Sequence, residues 1–370
     1  MKIQQINLYH IKMPLVKPFE TSFGRIYSRE CVLLEARAGD LTGFGECPAD
    51  HDPGYSYETV GTAWHILQDF LLPAILDQEI DSASALQGKL SHVRGHHMAK
   101  AGLEMAFWDL LGRAQGKSLR EMLGGLRDKV DVGVSVGLQE SPDRLVEVVG
   151  DYMMQGYRRV KIKIKPGRDV DDASAVRQAY PDLRLQVDAN SAYTLQSAAS
   201  LVPLDDLDLL LIEQPLAEDD LWDHRQLQVK FRTPICLDES ITSHRLARQA
   251  LEMGSCRVIN IKAGRVGGLS QAVAIHDLCR GMHVPVWCGG MLETGVGRAS
   301  NLALSSLPGF TLPADISATE RYYHEDITHE RFVLNPDSTI NVPTSPGLGV
   351  TIDPAALERA TLSKLEIHNH

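Results

Sequence analysis

The stretch between residues 160 and 262 contains five short apolar runs, each of which ends at or near a charged residue. The terminal charges recur every 24 or 25 residues, a length that fits one strand, one helix and two short loops. Strands buried in parallel sheets have continuous rather than alternating apolar residues, as these runs do. The pattern therefore predicts consecutive βα units. The runs span residues 160–164, 185–188, 210–213, 235–238 and 258–262.

The charges that end these runs point to a functional site. In a closed (β/α) barrel the carboxyl ends of all strands meet at one mouth, where catalytic groups lie. A charge that ends a buried strand is costly unless it has a partner. One such charge would be explained by the start of a solvated loop, but five in register indicate a site. In chain order they are Lys163, Asp188, Glu213, Asp238 and Lys262.

The rest of the chain predicts a second, smaller domain next to the barrel. The first 50 or so residues are typical of an antiparallel meander with a glycine-rich turn at 39–45, and residues 57–76 and 97–116 have helical spacing. We therefore predict an α/β fold, a (β/α)7–8 TIM-type barrel with an α+β capping domain. The predicted boundaries are 1–125 for the cap, 126–319 for the barrel and 320–370 for a C-terminal segment that returns to the cap.

Within this plan, the first barrel strand is predicted at 130–136, the seventh at 284–288 and a weak eighth at 311–316. Two segments, 19–27 and 51–57, carry aromatic and polar residues without periodicity. Segments of this kind are either ordinary surface loops or lids over a neighbouring site.

Composition excludes several classes of partner. The formal net charge of −11 and the lack of a basic cluster argue against nucleic acid. No apolar run reaches 18 residues, and the first residues lack a signal-peptide core, so we expect neither a membrane span nor export. The six cysteines are scattered without a Cys-x-x-Cys pair. This usage indicates a reduced, cytoplasmic protein rather than a disulfide framework or a zinc site.

Three of the five charges are carboxylates on adjacent predicted strands. Packed at one mouth, Asp188, Glu213 and Asp238 could not all be ionised without a cation close by. Oxygen-only ligands suit a hard ion, so we expect Mg²⁺, with Mn²⁺ as the second choice, and the lack of a histidine argues against zinc. The competing interpretation is a carboxylate cluster that lysines alone neutralise.

The two ends of the row are lysines. Lys161 and Lys163 lie two residues apart on one strand, so their side chains point to the same face. An isolated lysine has a pKa of ~10.4, whereas lysine bases are tuned to ~7–8. A second ammonium group and a metal ion nearby favour that tuning, which gives the Lys-x-Lys pair a purpose if Lys163 is the base. Lys262 is expected across the barrel, on the opposite side of the substrate.

Taken together, the motifs at the strand ends resemble the enolase superfamily, in particular its branch of muconate-lactonising enzymes. Residues 19–24, 135–137 and 289–295 narrow the resemblance to the group of o-succinylbenzoate synthases and N-succinylamino-acid (N-acylamino-acid) racemases. The resemblance covers essentially the whole chain. The motifs are Lys-Ile-Lys at 161–163, Val-Asp-Ala-Asn at 187–190, Glu-Gln-Pro at 213–215, Asp-Glu-Ser at 238–240 and Lys-Ala-Gly-Arg at 262–265.

The resemblance implies an enzyme that removes the proton α to a carboxylate of a small-molecule substrate, with Mg²⁺ on the three acids stabilising the enediolate. In a synthase, Lys163 would abstract the proton and assist syn-dehydration, a step of menaquinone biosynthesis, while Lys262 stays cationic. In a racemase, the two lysines would be opposed acid/base groups. The resemblance also implies a homo-oligomer, and pocket positions at Ser135, Lys161, Asn190, Glu239 and Met291.

Several alternatives stay open or can be weighed from the sequence. Synthase and racemase substrates share a carboxylate, an acidic α-carbon and a succinyl-like arm, so the sequence does not choose between them. A muconate cycloisomerase-type lactonising enzyme would use the same two lysines. Dipeptide epimerases carry an Asp-x-Asp motif that 288–292 lacks. A metal-dependent hydrolase on the same barrel would need histidine ligands or a second acid cluster, and a non-catalytic barrel would not need all five charges.

Overall fold

The computed structural model describes residues 1–368, and the N-terminal part belongs to a four-stranded antiparallel sheet. Three strands come from the N-terminal meander: β1 (Gln5–Thr21), β2 (Gly24–Ala38) and β3 (Leu41–Cys47). The fourth, β13 (Thr361–His368), comes from the other end of the chain and pairs with β1, so that Gln5 lies opposite His368. The sheet order is β13-β1-β2-β3.

Helices pack against this sheet and bury an apolar core that is separate from that of the barrel. The longest helix, α3, ends at a left-handed Gly116 with φ of 64°, as its sequence predicts. The helices are α1 (Val60–Ile66), which continues into a π-helical turn (Leu67–Leu71), α2 (Ala83–Leu90), α3 (His97–Gln115) and α4 (Leu119–Leu123).

The larger sheet is parallel, and its seven strands are adjacent in space in the order in which they occur in the chain. All but one of their residues are buried or nearly so, which explains the continuous apolar runs. The strands are β5 (Val134–Val136), β6 (Arg159–Lys163), β7 (Arg184–Asp188), β8 (Ile212–Glu213), β9 (Ile235–Leu237), β10 (Val258–Ile261) and β11 (Val286–Cys288).

An irregular segment closes this sheet where the sequence predicts a weak eighth strand. The amide of Asp315 donates to the carbonyl of Cys288 on β11, 2.9 Å away, and the amide of Gly133 donates to the carbonyl of Ala314, also at 2.9 Å. The segment makes single bridges rather than a ladder on each side. The fold is thus a TIM-type barrel whose ring consists of seven strands and one irregular segment. The antiparallel sheet and its helices form the cap.

Helices connect the barrel strands and form its outer layer. Several begin at a serine or aspartate whose side chain accepts a hydrogen bond from the first turn, such as Ser141, Asp220 and Ser243. They are α5 (Pro142–Met154), α6 (Val170–Ala179), a 3₁₀ helix (Ser197–Asp206), α7 (Leu221–Lys230), α8 (His244–Met253), α9 (Ala263–Val266), α10 (Leu269–Gly281) and α11 (Gly295–Ser305), followed by α12 (Thr319–Tyr322) and α13 (Pro354–Ala360).

Two predictions about the N-terminal region were wrong. Residues 39–45 are mostly strand β3 rather than a turn, and their glycines allow α3 to approach: a Cβ on Gly45 would lie 2.1 Å from the carbonyl oxygen of Gly102. Residues 19–24 belong mostly to the β1–β2 hairpin, because extended pairing resumes at Phe19 after an irregularity that begins at Pro14. A period-based analysis overlooks both features, since each depends on a contact with another element.

Two further boundaries differ from the sequence prediction. The helix predicted over 57–76 begins only at Val60, where Thr59 forms a capping box, and it changes to π-helical geometry at Leu67. The strand predicted over 130–136 is divided into β4 (Lys129–Asp131) and β5, because β4 pairs with residues 339–341 outside the barrel sheet whereas β5 pairs with β6 within it.

Buried carboxylates from the cap join it to the barrel. Glu46 on β3 accepts hydrogen bonds from the backbone of Thr294 and Gly297 at the start of α11. Glu104 on α3 accepts one from the amide of Ser270 in the first turn of α10, at 3.3 Å. Both carboxylates thus cap the positive end of a barrel helix from outside the barrel.

The segment from residue 320 onward supplies two strands: β12 (Thr339–Asn341) forms a separate two-stranded sheet with β4, and β13 joins the cap sheet beside β1. The domain boundaries at 125 and 319 remain a prediction. Across residues 1–368, no helix has both the length and the apolar character needed to span a bilayer.

Candidate active site

The five charged residues predicted from the sequence meet at the carboxyl ends of consecutive strands. Lys163, the last residue of β6, is in register with Asp188 at the end of β7, which is in register with Glu213 at the end of β8. Asp238 directly follows β9, and Lys262 directly follows β10. The three acids therefore occupy the three strands between the two lysines.

The lysines are paired with the acids at the two ends of the row. The Nζ of Lys163 lies 2.6 Å from Oδ2 of Asp188 and 2.7 Å from Oδ1 of Asn190. At the other end, the Nζ of Lys262 lies 2.8 Å from Oδ2 of Asp238. Arg265 donates to the other oxygen of Asp238. Each catalytic candidate therefore has its own carboxylate partner.

Lys161 occupies the centre of the cluster. Its Nζ lies 3.0 Å from Asp188, 2.8 Å from Glu213 and 2.7 Å from Asp315, and it also lies over the ring of Trp287 at 4.8 Å. One ammonium group thus bridges two of the three predicted metal ligands, which means that their oxygens face a common space.

The charges of the cluster shift the ionisation of its members in opposite directions. Burial opposes the ammonium form of Lys161, but the carboxylates of Asp315, Glu213 and Asp188 outweigh it and raise the pKa of Lys161 well above its ordinary value. Burial likewise opposes the ionisation of Asp188, yet Lys163 and Lys161 hold its pKa below the usual range. Burial, together with Asp188, raises the pKa of Glu213, so the acids are not equivalent.

A cavity of about 350 Å³ opens above the lysines. Its floor includes Lys161, Lys163 and Lys262, whereas the three acids have no exposed surface and lie beneath the amines. The cap supplies the roof through the two segments that the sequence marks as loops or lids. The cavity is lined from 19–26 by Phe19, Thr21, Phe23, Gly24, Arg25 and Ile26, and from 50–56 by Asp50, His51, Asp52, Gly54, Tyr55 and Ser56.

The predicted substrate-binding residues fall into two groups. Ser135, Asn190 and Met291 line the cavity together with Lys161, and the buried hydroxyl of Ser135 has no hydrogen-bond partner within the described part of the chain. Glu239 does not line the cavity; its Oε1 accepts from Nδ2 of Asn190 at 2.9 Å. The position of Glu239 suits the support of Asn190 rather than a contact with substrate.

Sequence reasoning did not single out three residues that touch the cluster. Asp315 pairs with Lys161 and Arg159, and a signal for it existed, because it closes the weak eighth strand as the other charges close theirs. Asn260 donates to Oε1 of Glu213 at 2.7 Å and alternates with Lys262 along β10. Tyr55 lies in the segment 51–57, which the sequence marks as a loop or a lid without singling out any one of its residues.

The ligand chemistry of the acids suits a hard divalent cation. Three buried carboxylates on neighbouring strands supply oxygen donors only. As the side chains stand, no group of three or more Asp, Glu, His or Cys in residues 1–368 has the arrangement of a formed metal centre, because ammonium groups are paired with the acids. A lysine that acts as a base must be neutral, and these acids would then need another positive charge. The residues therefore fit a metal ion provided that the lysines move aside.

Comparisons with known proteins agree with this geometry. The family profile described as "Mandelate racemase / muconate lactonizing enzyme, N-terminal domain" matches residues 4–124, and "Enolase C-terminal domain-like" matches residues 144–356. The chain is 50% identical to an o-succinylbenzoate synthase of Geobacillus kaustophilus, with 97% of this chain and 96% of the relative covered. It is 48% identical to an N-succinylamino acid racemase of Amycolatopsis sp, with 99% and 100% covered.

A solved structure has the same architecture. The crystal structure of an enolase-superfamily member from Listeria innocua superposes with a TM-score of 0.96 at 42% identity, and the match covers 100% of this chain and 99% of the other. The likeness therefore extends over both the cap and the barrel.

Proposed function

This chain belongs to the mandelate racemase and muconate lactonizing enzyme family of the enolase superfamily, and we propose that it is an enzyme that abstracts the α-proton of a small carboxylate substrate. The reaction we propose is o-succinylbenzoate synthesis, N-succinylamino-acid racemisation, or both. Relatives that carry each of these names are about equally similar to this chain, at 50% and 48% identity.

One observation carries the proposal: two buried lysines lie at the two ends of a row of three acids, at the floor of one cavity. Lys262 follows β10, which lies four positions further round the barrel than β6, the strand of Lys163. In a ring of eight members, four positions lead to the opposite side. A substrate carbon held above Asp188, Glu213 and Asp238 would therefore have an amine on each face.

We propose Asp188, Glu213 and Asp238 as the ligands of a divalent metal ion. Enzymes of this superfamily depend on such an ion, and the oxygen-only donors favour Mg²⁺, with Mn²⁺ as the alternative. When bound, the ion supplies positive charge that stabilises the negative charge developing on the substrate carboxylate. With that charge present, Lys163 and Lys262 would no longer be needed as counter-charges of the acids and could act as bases.

The protein's own residues carry the proton. Lys163 takes the α-proton on its face, and Asn190, which accepts a hydrogen bond from it at 2.7 Å, holds the amine towards the cavity. In racemisation, Lys262 returns a proton to the other face. In dehydration, Lys163 delivers its proton to the departing hydroxyl and Lys262 remains cationic. Phe19, Phe23 and Tyr55 cover the site and exclude water.

The first prediction tests the two lysines separately. In deuterated water with Mg²⁺, we expect the wild-type protein to exchange the α-proton of both enantiomers of an N-succinyl amino acid. Lys163→Ala and Lys262→Ala should each lose exchange of a different enantiomer by about 10²–10⁴-fold, the usual contribution of a general base. NMR measures both rates. Exchange of both enantiomers that persists in both variants would contradict the assignment.

A second assay separates the candidate reactions. Conversion of 2-succinyl-6-hydroxy-2,4-cyclohexadiene-1-carboxylate is followed as loss of the hydroxyl, and racemisation is followed as change of optical rotation. The alternative, a muconate cycloisomerase-type lactonising enzyme, would turn over muconate with the same lysines. A metal-dependent hydrolase has less support, because within residues 1–368 the one histidine that lines the cavity is His51, which belongs to the cap and not to the strand ends.

The location and assembly of the protein are part of the same proposal. All six cysteines are buried and free in the structure, which suits a reducing, cytoplasmic setting. The homo-oligomer that the resemblance implies is tested by sedimentation of the purified chain.

A further inference from the structure

The cap reaches into the site at one residue, Tyr55. Its hydroxyl accepts hydrogen bonds from Nζ of Lys262 at 3.0 Å and from Nη1 of Arg265 at 3.3 Å, and it donates to Oδ1 of Asp238 at 3.2 Å. The ring of Tyr55 also covers the Lys262 ammonium, with Nζ 4.4 Å from the ring centroid. A residue of the capping domain is thus bonded to a catalytic candidate of the barrel.

The opposite lysine has different surroundings. Lys163 is held by two barrel residues, Asp188 and Asn190. The cap places the ring of Phe19 beside it, with the ring centroid 5.9 Å from Nζ, and a phenyl ring has no hydroxyl to accept a hydrogen bond. The cap therefore makes a polar contact with one amine and an apolar one with the other. The two acid/base groups of the site are not equivalent in how they depend on the cap.

We propose that Tyr55 is a positioning residue for Lys262: its hydroxyl and ring hold the Lys262 amine in place when the cap covers the site, so that loss of Tyr55 impairs proton transfer on the Lys262 face alone. The inference rests on the proposed function, because it assigns Tyr55 to one of the two proton-transfer faces. Arg265 cannot replace the hydroxyl, because as a cation it would repel the Lys262 ammonium and offers no acceptor.

The selectivity follows from what each contact does. The hydroxyl of Tyr55 accepts a hydrogen bond from Lys262, so it gives the amine a partner in the cap that does not depend on its pairing with Asp238. A charge-assisted hydrogen bond of this kind is worth about a tenfold change in rate if it is kept in the transition state. Because the hydroxyl makes no contact with Lys163, that face should change little.

The decisive experiment measures α-proton exchange for each enantiomer of an N-succinyl amino acid in deuterated water. The Lys262→Ala variant first identifies the enantiomer whose proton faces Lys262. We expect Tyr55→Phe to slow exchange of that enantiomer by about tenfold and exchange of the other by less than about twofold, with a larger effect on kcat than on KM. Tyr55→Ala, which also removes the ring, should widen the ratio. Equal slowing of both enantiomers, or no slowing, would overturn the inference.

A matched control lies two residues along the same loop. Tyr57 is exposed and does not line the cavity, so Tyr57→Phe should leave the ratio of the two exchange rates at its wild-type value. If Tyr57→Phe changes the ratio as much as Tyr55→Phe, the effect belongs to the loop and not to the Tyr55 hydroxyl, which refutes the inference.

A measurement without substrate or metal keeps the inference separate from the proposed function. In EDTA-treated protein, a small amine-reactive reagent is applied and the labelled peptides are quantified by mass spectrometry. Freed from the hydroxyl, Lys262 should be labelled several-fold faster in Tyr55→Phe than in wild type, while Lys163 serves as the internal reference. An unchanged ratio of Lys262 to Lys163 labelling contradicts the inference. Failure of the wild-type protein both to exchange either enantiomer and to convert 2-succinyl-6-hydroxy-2,4-cyclohexadiene-1-carboxylate would refute the proposed function instead.

Discussion

At the scale of single residues, the site is a set of buried charges that are stable only together. Lys161 contacts Asp188, Glu213 and Asp315, and Arg159 lies 2.5 Å from the other oxygen of Asp315. All of these side chains are nine-tenths or more buried. Removing one partner of such a group leaves a charge that neither water nor a neighbour can compensate.

Asp315 tests this dependence. We expect Asp315→Asn to reduce the free energy of unfolding by about 3 kcal/mol, because it leaves Arg159 and Lys161 buried without their shared counter-charge. The measurement is urea unfolding of purified protein. Asp206→Asn, which breaks an exposed pair with Arg232, is the control and should have little effect. A loss for Asp315→Asn no greater than that of the control would mean that Asp315 does not support the cluster.

At the scale of elements, close contacts between the cap sheet and α3 depend on glycine. A Cβ at Gly45 would lie 2.1 Å from the carbonyl oxygen of Gly102, and one at Gly43 would lie 2.6 Å from that of Ala106. Backbone atoms of a packed helix have little freedom to move away. The β3–α3 contact matters for function, because β3 carries Glu46 and so helps to join the cap to the barrel.

Two glycine substitutions have opposite expected effects. Gly45→Ala should destabilise the protein by about 3 kcal/mol, because the added methyl group must displace α3 from β3. Gly88→Ala in α2 meets nothing within 4 Å and should stabilise it by about 0.5–1 kcal/mol, the usual gain of alanine over glycine in a helix. Thermal and urea unfolding measure both. A tolerated Gly45→Ala would show that the helix is free to shift.

The Glu104 carboxyl group, which accepts a hydrogen bond from the first turn of α10, gives a pH dependence of stability with a defined sign. Burial raises the pKa of Glu104 to about 7, against hydrogen bonds from Ser270 and Gln87. Between the ordinary carboxyl pKa and about 7, the unfolded chain loses this proton while the folded chain keeps it. The contribution of Glu104 to stability is therefore highest at acid pH, falls as the pH rises through this window, and is constant above it.

Glu104→Gln should remove that dependence. We compare the unfolding free energy of the variant with that of wild type at each pH. From pH 4.5 to pH 8 this difference should shift in favour of the variant by up to about 3 kcal/mol, at about 1.4 kcal/mol per pH unit within the window. Urea unfolding of both proteins at both pH values measures this difference. The contributions of all other titrating groups cancel, because both proteins contain them. Glu252→Gln, at an exposed position of α8, is the control. A difference between wild type and Glu104→Gln that does not vary with pH would contradict the prediction.

At the scale of the whole molecule, a metal ion held by three strands should couple binding to folding. Asp188, Glu213 and Asp238 are brought together only when β7, β8 and β9 are paired, so the proposed ion should bind the folded chain and not the unfolded one. A ligand of this kind stabilises the folded state by mass action.

Thermal unfolding with and without the ion tests the coupling. After treatment with EDTA, addition of Mg²⁺ to about 100 times its Kd should stabilise the protein by about 2.7 kcal/mol, or a few degrees in Tm. Glu213→Gln should lose most of this shift, and Glu218→Gln, exposed in the loop that follows β8, should keep it. A shift as large in Glu213→Gln as in wild type would exclude Glu213 as a ligand.

The sequence by itself determined the barrel and the charged row at its mouth. Both follow from local regularities: strands buried on both faces must be continuously apolar, and a βα unit has a nearly fixed length. The charges therefore recur at a nearly constant interval, at Lys163, Asp188, Glu213, Asp238 and Lys262. Parallel pairing then brings their ends to one edge, because all strands of the sheet run in the same direction.

Only the tertiary structure decided which residues of distant segments complete the site. Tyr55 contacts Lys262 although 207 positions of sequence separate them. Asp315 contacts Lys161 from the irregular segment that completes the barrel, which makes only single bridges to its neighbours. The sequence predicts a turn at Gly45, and only the packing of α3 against β3 explains why a glycine is needed there. A regular spacing of residues in the sequence indicates contacts within the repeating βα units. Contacts between non-repeating segments depend on how the barrel closes and how the cap packs on it, and no local pattern encodes either.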